Sequence, residues 1–378
     1  MITGLRTQPY VFISKPKTEP TQQNQSTCGN SQPLKESQLR LSGYKPYTHA
    51  LVSFGYDFML KSVEGLPCPC CGITMSTNDE IRSFTNKMVN ARGQRIIENI
   101  EKYEDRLPEV ERSVTNRLKI AAEEYQNLDL HGLLKKIQNE PRKELERKQK
   151  EILNEMQELS KELNGNTYNV IKKDIDQINK IILEGKNGKP FKRKTLIQGM
   201  EKVRNNETDP QNRFILNKIV EKTMDMPTSS TDANAFIVKY SRRTTPEIAR
   251  RLIEPSQATA EHIKPHSKNG HDGAENYLSE CKKCNNDRGN MTYVEWLKIH
   301  PEMIKNSQIY MDAVTSKIID GSITAFNFYP NAVKRAIFEE SEGMINLDLS
   351  KFNEYKKNIV KDRAIHPQGN PDKIYTSA

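Results

Sequence analysis

The sequence predicts a mainly α chain with a small α+β core, and three observations carry that expectation. Apolar residues recur at helical spacing through much of the middle of the chain. Hydrophobic residues are only 35% and charged residues 28% of the 378. That composition suits long solvated helices better than a large sheet core. One short stretch, from Ala258 to Gly289, departs from the helical pattern: an extended run, a polar Gly-containing loop and a Cys-x-x-Cys pair.

Residues 1–46 are rich in Gln, Ser, Thr, Pro, Lys and Asn. They bury too little apolar surface to offset the entropy of ordering, so a disordered tail is expected. Residues 47–75 hold the apolar segment Leu51–Leu60 and then Cys68-Pro69-Cys70-Cys71-Gly72. Residues 76–255 read as helical. A helix from Asp79 is expected to break near Leu107-Pro108, and a second helical stretch to close at Glu140-Pro141. From Arg142, Leu145, Ile152, Met156, Leu159 and Leu163 mark a heptad-like seam. Gly165-Asn166 interrupts it, and Ile171, Ile175, Ile178 and Ile182 form the next stripe. Together they predict an antiparallel helical hairpin over about 142–184, each half burying the other's stripe.

A basic run follows at Lys186, Lys189, Lys192, Arg193 and Lys194. Asp209-Pro210 reads as an N-cap and first-turn proline for a helix to about Met224, and Thr245-Pro246 for one ending near Ile253. Residues 256–300 hold the motif-rich core. Within it, Thr292 and Glu295 form a T-x-x-E capping box. Residues 301–368 predict helices near 302–319, 330–340 and 350–361, and residues 369–378 a disordered tail.

The net charge of +9 suits a polyanionic partner, a nucleic acid or an anionic membrane surface. No apolar run approaches transmembrane length, and Tyr10–Ile13 is too short for a signal-peptide core. A cytoplasmic, non-membrane protein is expected. In a reducing compartment, clustered cysteines bind metal more often than they form disulfides. Of the six cysteines, Cys28 lies in the tail, and Cys68, Cys70, Cys71, Cys281 and Cys284 fall in two tight clusters. Cys68-x-x-Cys71 and Cys281-x-x-Cys284 each have the spacing that lets two thiolates reach one tetrahedral Zn²⁺, so a structural zinc with these four ligands is expected. Cys70 is a spare thiol beside that set.

The segment Ala258–Gly289 places Glu261-His262-Ile263 before Pro265 and a polar loop, then Asn276, a short apolar stretch, and Cys284-Asn285 opening a helix with Arg288. In order and spacing this resembles the HNH endonuclease family, over roughly Thr259–Trp296 with the upstream Cys68–Gly72. The resemblance implies a ββα-metal core, here carrying a long helical insertion, because 190 positions separate Cys71 from Glu261. It implies metal-dependent phosphodiester hydrolysis in DNA, with RNA left open. His262 would be the general base, and Glu261 and Asn285 the ligands of Mg²⁺ or Mn²⁺. Asn276 would brace the loop that holds His262, and Arg288 would reach a phosphate. Glu261 stands where the family usually has Asp, and Asn285 where it usually has His; both keep an oxygen donor. Lys264, Lys192, Arg193 and Lys194 are the expected backbone-tracking cations. The helical hairpin offers a surface for a homodimer or a protein partner. The competing reading is a zinc-stapled nucleic-acid-binding or scaffold protein with a catalytically weak core.

Overall fold

The computed structural model describes residues 63–184, 193–323 and 330–365. The expectations for the terminal tails, Cys28, Leu51–Leu60, Lys186, Lys189 and Lys192, and for the side chains of Ile182 and Lys194, lie outside the described residues. Two compact units divide the chain. One is Ser76–Gln257; the other joins Met1–Met75 to Ala258–Ala378.

The unit Ser76–Gln257 is all helical among its described residues. Helix α1 (Asn78–Val89) opens on a capping box in which Thr77 N donates to Glu80 at 2.8 Å and Glu80 N donates to the Thr77 hydroxyl at 3.2 Å. The single helix expected from Asp79 to Leu107 is instead broken at Gly93, and α2 (Gln94–Glu101) starts there. Gly93 has φ +45°, and a Cβ on it would lie 2.3 Å from Gln126 O. Only glycine fits that turn. Pro108 precedes α3 (Glu109–Glu124), and Asp129 caps α4 (Leu130–Ile137) by accepting from Gly132 N at 2.8 Å.

Glu140-Pro141 does not close a helix. It sits in the first turn of α5 (Asn139–Ser160), where the missing proline N–H has no intrahelical partner to lose. Helix α6 (Gly165–Glu184) follows, then α7 (Arg193–Asn206) and α8 (Pro210–Met224). Asp209 caps α8 through Gln211 N at 2.9 Å. Next come α9 (Ala233–Tyr240) and α10 (Thr245–Ile253), whose capping box uses Thr244 and Glu247, one residue earlier than the Thr245 cap expected.

Two apolar cores fill this unit. One gathers Phe84, Ile96, Leu118, Leu133, Phe236 and Leu252. The other gathers Leu153, Met156 and Leu163 with Ile171, Ile175 and Ile178, and packs α7 and α8 through Met200, Leu216 and Ile219. The α5 and α6 stripes therefore share a core with two further helices, not only with each other.

In the second unit, Pro67 and Thr74 form a β-bridge that closes a tight knuckle around Cys68–Gly72. Strands β1 (Ala258–His262) and β2 (Tyr277–Cys281) pair antiparallel, in a register that sets Glu261 opposite Leu278 and His262 opposite Tyr277. Helix α11 (Lys282–Arg288) continues directly from β2, so strand, strand and helix form one ββα unit. Around it lie α12 (Tyr293–Leu297), opened by the Thr292–Glu295 capping box, then α13 (Met303–Ile319), α14 (Pro330–Glu340) and α15 (Ser350–Ile365). Leu66, Met75, Ile263, Leu278, Trp296 and Met311 lie in one buried core. No helix among the described residues is long and apolar enough to cross a membrane.

Candidate active site and metal centre

The cysteine cluster fixes one end of the hairpin. The Sγ atoms of Cys68, Cys71, Cys281 and Cys284 all lie within 4.8 Å of one another. A zinc tetrahedron with bonds of about 2.3 Å has S–S edges of about 3.8 Å. Cys71 Sγ and Cys281 Sγ are 3.8 Å apart. The backbone supports the sulfurs in the usual knuckle manner: Cys281 N donates to Cys68 Sγ at 3.5 Å, and Cys284 N to Cys281 Sγ at 3.4 Å. The four thiols also split one another's acidities. Hydrogen bonds from Cys281, Cys284 and Cys68 hold Cys71 far below the ordinary thiol range, and Cys281, Cys68, Cys70 and Cys71 push Cys284 far above it. Four thiolates can coexist in so small a volume only around a cation, and the donor set fits zinc.

The other end of the hairpin holds the imidazole. His262 is the last residue of β1, and its ring lies 4.2 Å from that of Tyr277, its cross-strand neighbour. Its Nε2 is 3.0 Å from Asp272 Oδ1, and the Tyr277 hydroxyl donates to the same oxygen at 2.9 Å. Those two hydrogen bonds, that from His262 first, hold the Asp272 carboxyl below its ordinary range. An ionised carboxylate only accepts, so Nε2 is the donor in that hydrogen bond, and Nδ1 makes none among the described residues.

Asn276 braces the intervening loop. It is 2% exposed. Its Oδ1 accepts from Lys264 N at 2.8 Å, while its Nδ2 donates to Lys264 O at 3.1 Å and to His271 O at 2.8 Å. Gly270 closes the same loop. A Cβ there would lie 1.9 Å from Lys264 O, so no other residue fits without moving the backbone.

Glu261 directly precedes His262 in β1 and is the more deeply buried of the two. Its carboxylate is 8% exposed and accepts from Arg288 Nη1 at 2.8 Å. Burial pushes its pKa up to about 7 against the opposing pull of Arg288. Asn285 reaches the same side of β1, its Nδ2 donating to Thr259 Oγ1 at 3.0 Å and Ala260 O at 3.4 Å. That orientation leaves the Asn285 Oδ1 with no hydrogen bond among the described residues. An oxygen donor thus sits on the strand face that carries a desolvated carboxylate, a combination that fits a hard divalent cation.

Residues 249–291 match the family model described as HNH endonuclease. The chain carries an HNH endonuclease domain. No curated protein and no solved structure matches the chain. The HNH match points to nuclease-type activity on nucleic acid and to a divalent metal.

Within the HNH domain, several expectations change. The sequence made His262 the general base beside a cation held by Glu261 and Asn285; among the described residues Glu261 pairs with Arg288 and His262 with Asp272. Arg288 does not present itself to a phosphate. It is 1% exposed and donates to Glu261, His262 O, Ile263 O and Met291 O. Three positions past Asn285, it lies on the helix face that packs against β1. In the helical unit, Arg193 is half-buried and donates to Met224 O at 2.8 Å and Met226 O at 3.4 Å, where it supports the end of α8. Lys264 is partly exposed, with Nζ 3.4 Å from Glu340.

Asp272, Tyr277 and Glu280 had been passed over. Tyr277 follows from the hairpin register once His262 is placed in a strand. Asp272 sits in an irregular loop with no periodicity to mark it. Glu280 is a charged residue wholly buried beside the cysteines.

Proposed function

We propose that the HNH domain is a metal-dependent endonuclease that hydrolyses phosphodiester bonds in DNA, with His262 as general base. The observation that carries this reading is the Asp272–His262 pair. It sets the tautomer, holds the ring and leaves Nδ1 able to take a proton from an attacking water. Asn276 positions the loop from which Asp272 acts. Glu261 and Asn285 would hold Mg²⁺ or Mn²⁺, which when bound supplies charge stabilisation for the phosphate. The four-cysteine zinc anchors α11 and with it Asn285, the residue directly after Cys284, so it supports a metal ligand as well as the fold. Lys264 and the basic residues around Lys194 would follow the phosphate backbone. Ser76–Gln257 is then an insertion between the two segments of the nuclease unit, with α5 and α6 available to a partner or a second copy.

A second reading has one observation in its favour. Arg288 already neutralises Glu261, which lessens the need for a cation there and suits a nucleic-acid-binding or scaffold protein with a weak core. Cleavage of supercoiled plasmid by the full chain in Mg²⁺, in Mn²⁺ and in chelator separates the two. The nuclease reading expects nicked or linear product with metal and none without it. Intact plasmid under all three conditions, with DNA still bound, selects the second reading.

A further inference from the structure

Beside the four-cysteine cluster lies a second group that the nuclease chemistry does not use. One ligand atom each from Cys70, Glu280 and Cys284 lies within 4.8 Å of the other two, and all three residues are buried. Glu280 is 1% exposed, and neither of its carboxylate oxygens has a hydrogen-bond partner among the described residues. A buried polar group left so requires an explanation. Arg288 spends its guanidinium hydrogen bonds on Glu261 and on the carbonyls of His262, Ile263 and Met291. Cys70 is fully buried, and Trp296 Nε1 donates to its sulfur at 3.2 Å.

We propose that Cys70, Glu280 and Cys284 hold a second zinc ion, with the Cys284 thiolate shared between this position and the four-cysteine site. Two thiolates and a carboxylate are a zinc donor set, and three protein ligands leave the fourth tetrahedral position to water. The charge balance is favourable. Four thiolates around one Zn²⁺ carry a net charge of minus two; five thiolates and one carboxylate around two Zn²⁺ carry the same. The second ion therefore satisfies Glu280 without adding charge to the buried cluster. It also gives a role to the spare cysteine of the Cys-Pro-Cys-Cys knuckle.

The test is the zinc content of the full chain, loaded with excess zinc and then washed in millimolar Mg²⁺, read by elemental analysis and native mass spectrometry. The wild type is expected to retain two zinc ions per chain, and Glu280→Gln and Cys70→Ser one each. A single ion in the wild type, or two in Glu280→Gln, overturns the proposal; the first result means that a proton, not a metal, satisfies Glu280. Retention of no zinc removes the four-cysteine site along with it. Where a variant does not fold, cobalt(II) titration of the metal-stripped wild type decides. Thiolate-to-cobalt absorption rising in two phases to two equivalents supports the second position, and one phase ending at one equivalent excludes it. Neither readout depends on nuclease activity.

Discussion

At the scale of single residues, the imidazole and the buried arginine have different partners and make separate predictions. In the proposed mechanism Asp272 acts through His262, which it hydrogen-bonds, so it is a positioning residue. Asp272→Asn keeps an acceptor near Nε2 but removes the negative charge that stabilises a protonated ring. Turnover is expected to fall by about tenfold to a hundredfold. An unchanged rate in the variant would remove Asp272 from the support of His262. Arg288 carries the opposite kind of load. Arg288→Ala strands the Glu261 carboxylate in a buried site and leaves the carbonyls of His262 and Ile263 without their donor. Breaking a buried pair in this way costs about 3–5 kcal/mol. Denaturant unfolding of the variant measures it, and a loss below about 1 kcal/mol would show that Arg288 is not holding β1 to α11.

At the scale of elements, the loop between β1 and β2 is held mainly through one side chain. Asn276 makes three hydrogen bonds to its backbone, and Asn276→Ala leaves those groups unsatisfied at a cost of about 1–3 kcal/mol. Hydrogen exchange should show faster opening of residues 264–276, with the cores of α1 to α10 unchanged. Uniform protection across the loop would contradict the role. The same elements show what could be read in the sequence. Asp209-Pro210 and Thr292-x-x-Glu295 were legible because a cap is a local event: a side chain satisfies a backbone N–H two or three residues away. The break at Gly93 was not, because what forbids a Cβ there is Gln126 O, more than thirty positions on. The heptad-like stripe of α5 announced a partner face, yet its sharing with α7 and α8 is a tertiary fact that periodicity does not carry.

At the scale of the whole molecule, each unit has a core of its own. Removing zinc with a strong chelator is expected to abolish hydrogen-exchange protection around β1, β2 and α11. Protection at Ile96, Leu118 and Ile219, in cores with no cysteine, should persist. Simultaneous collapse of all three cores would show that the thiolate cluster stabilises more than its own unit. The cysteine pairs were legible at this scale, because metal-ligand spacing is a covalent property of the chain. The environment of the charged residues was not: nothing in the spacing marks Glu261, Glu280 and Arg288 as buried. That burial removes Arg288 from solvent, while His262, at the loop end of the hairpin, stays partly exposed.

The central claim is that His262 removes a proton from water during phosphodiester cleavage. Single-turnover cleavage of a DNA duplex by the full chain in Mg²⁺ or Mn²⁺, wild type against His262→Ala, tests it most directly. The account predicts cleavage by the wild type and a loss of about 10²–10⁴-fold in the variant, with folding and zinc content unchanged. Equal rates for the two proteins would contradict it.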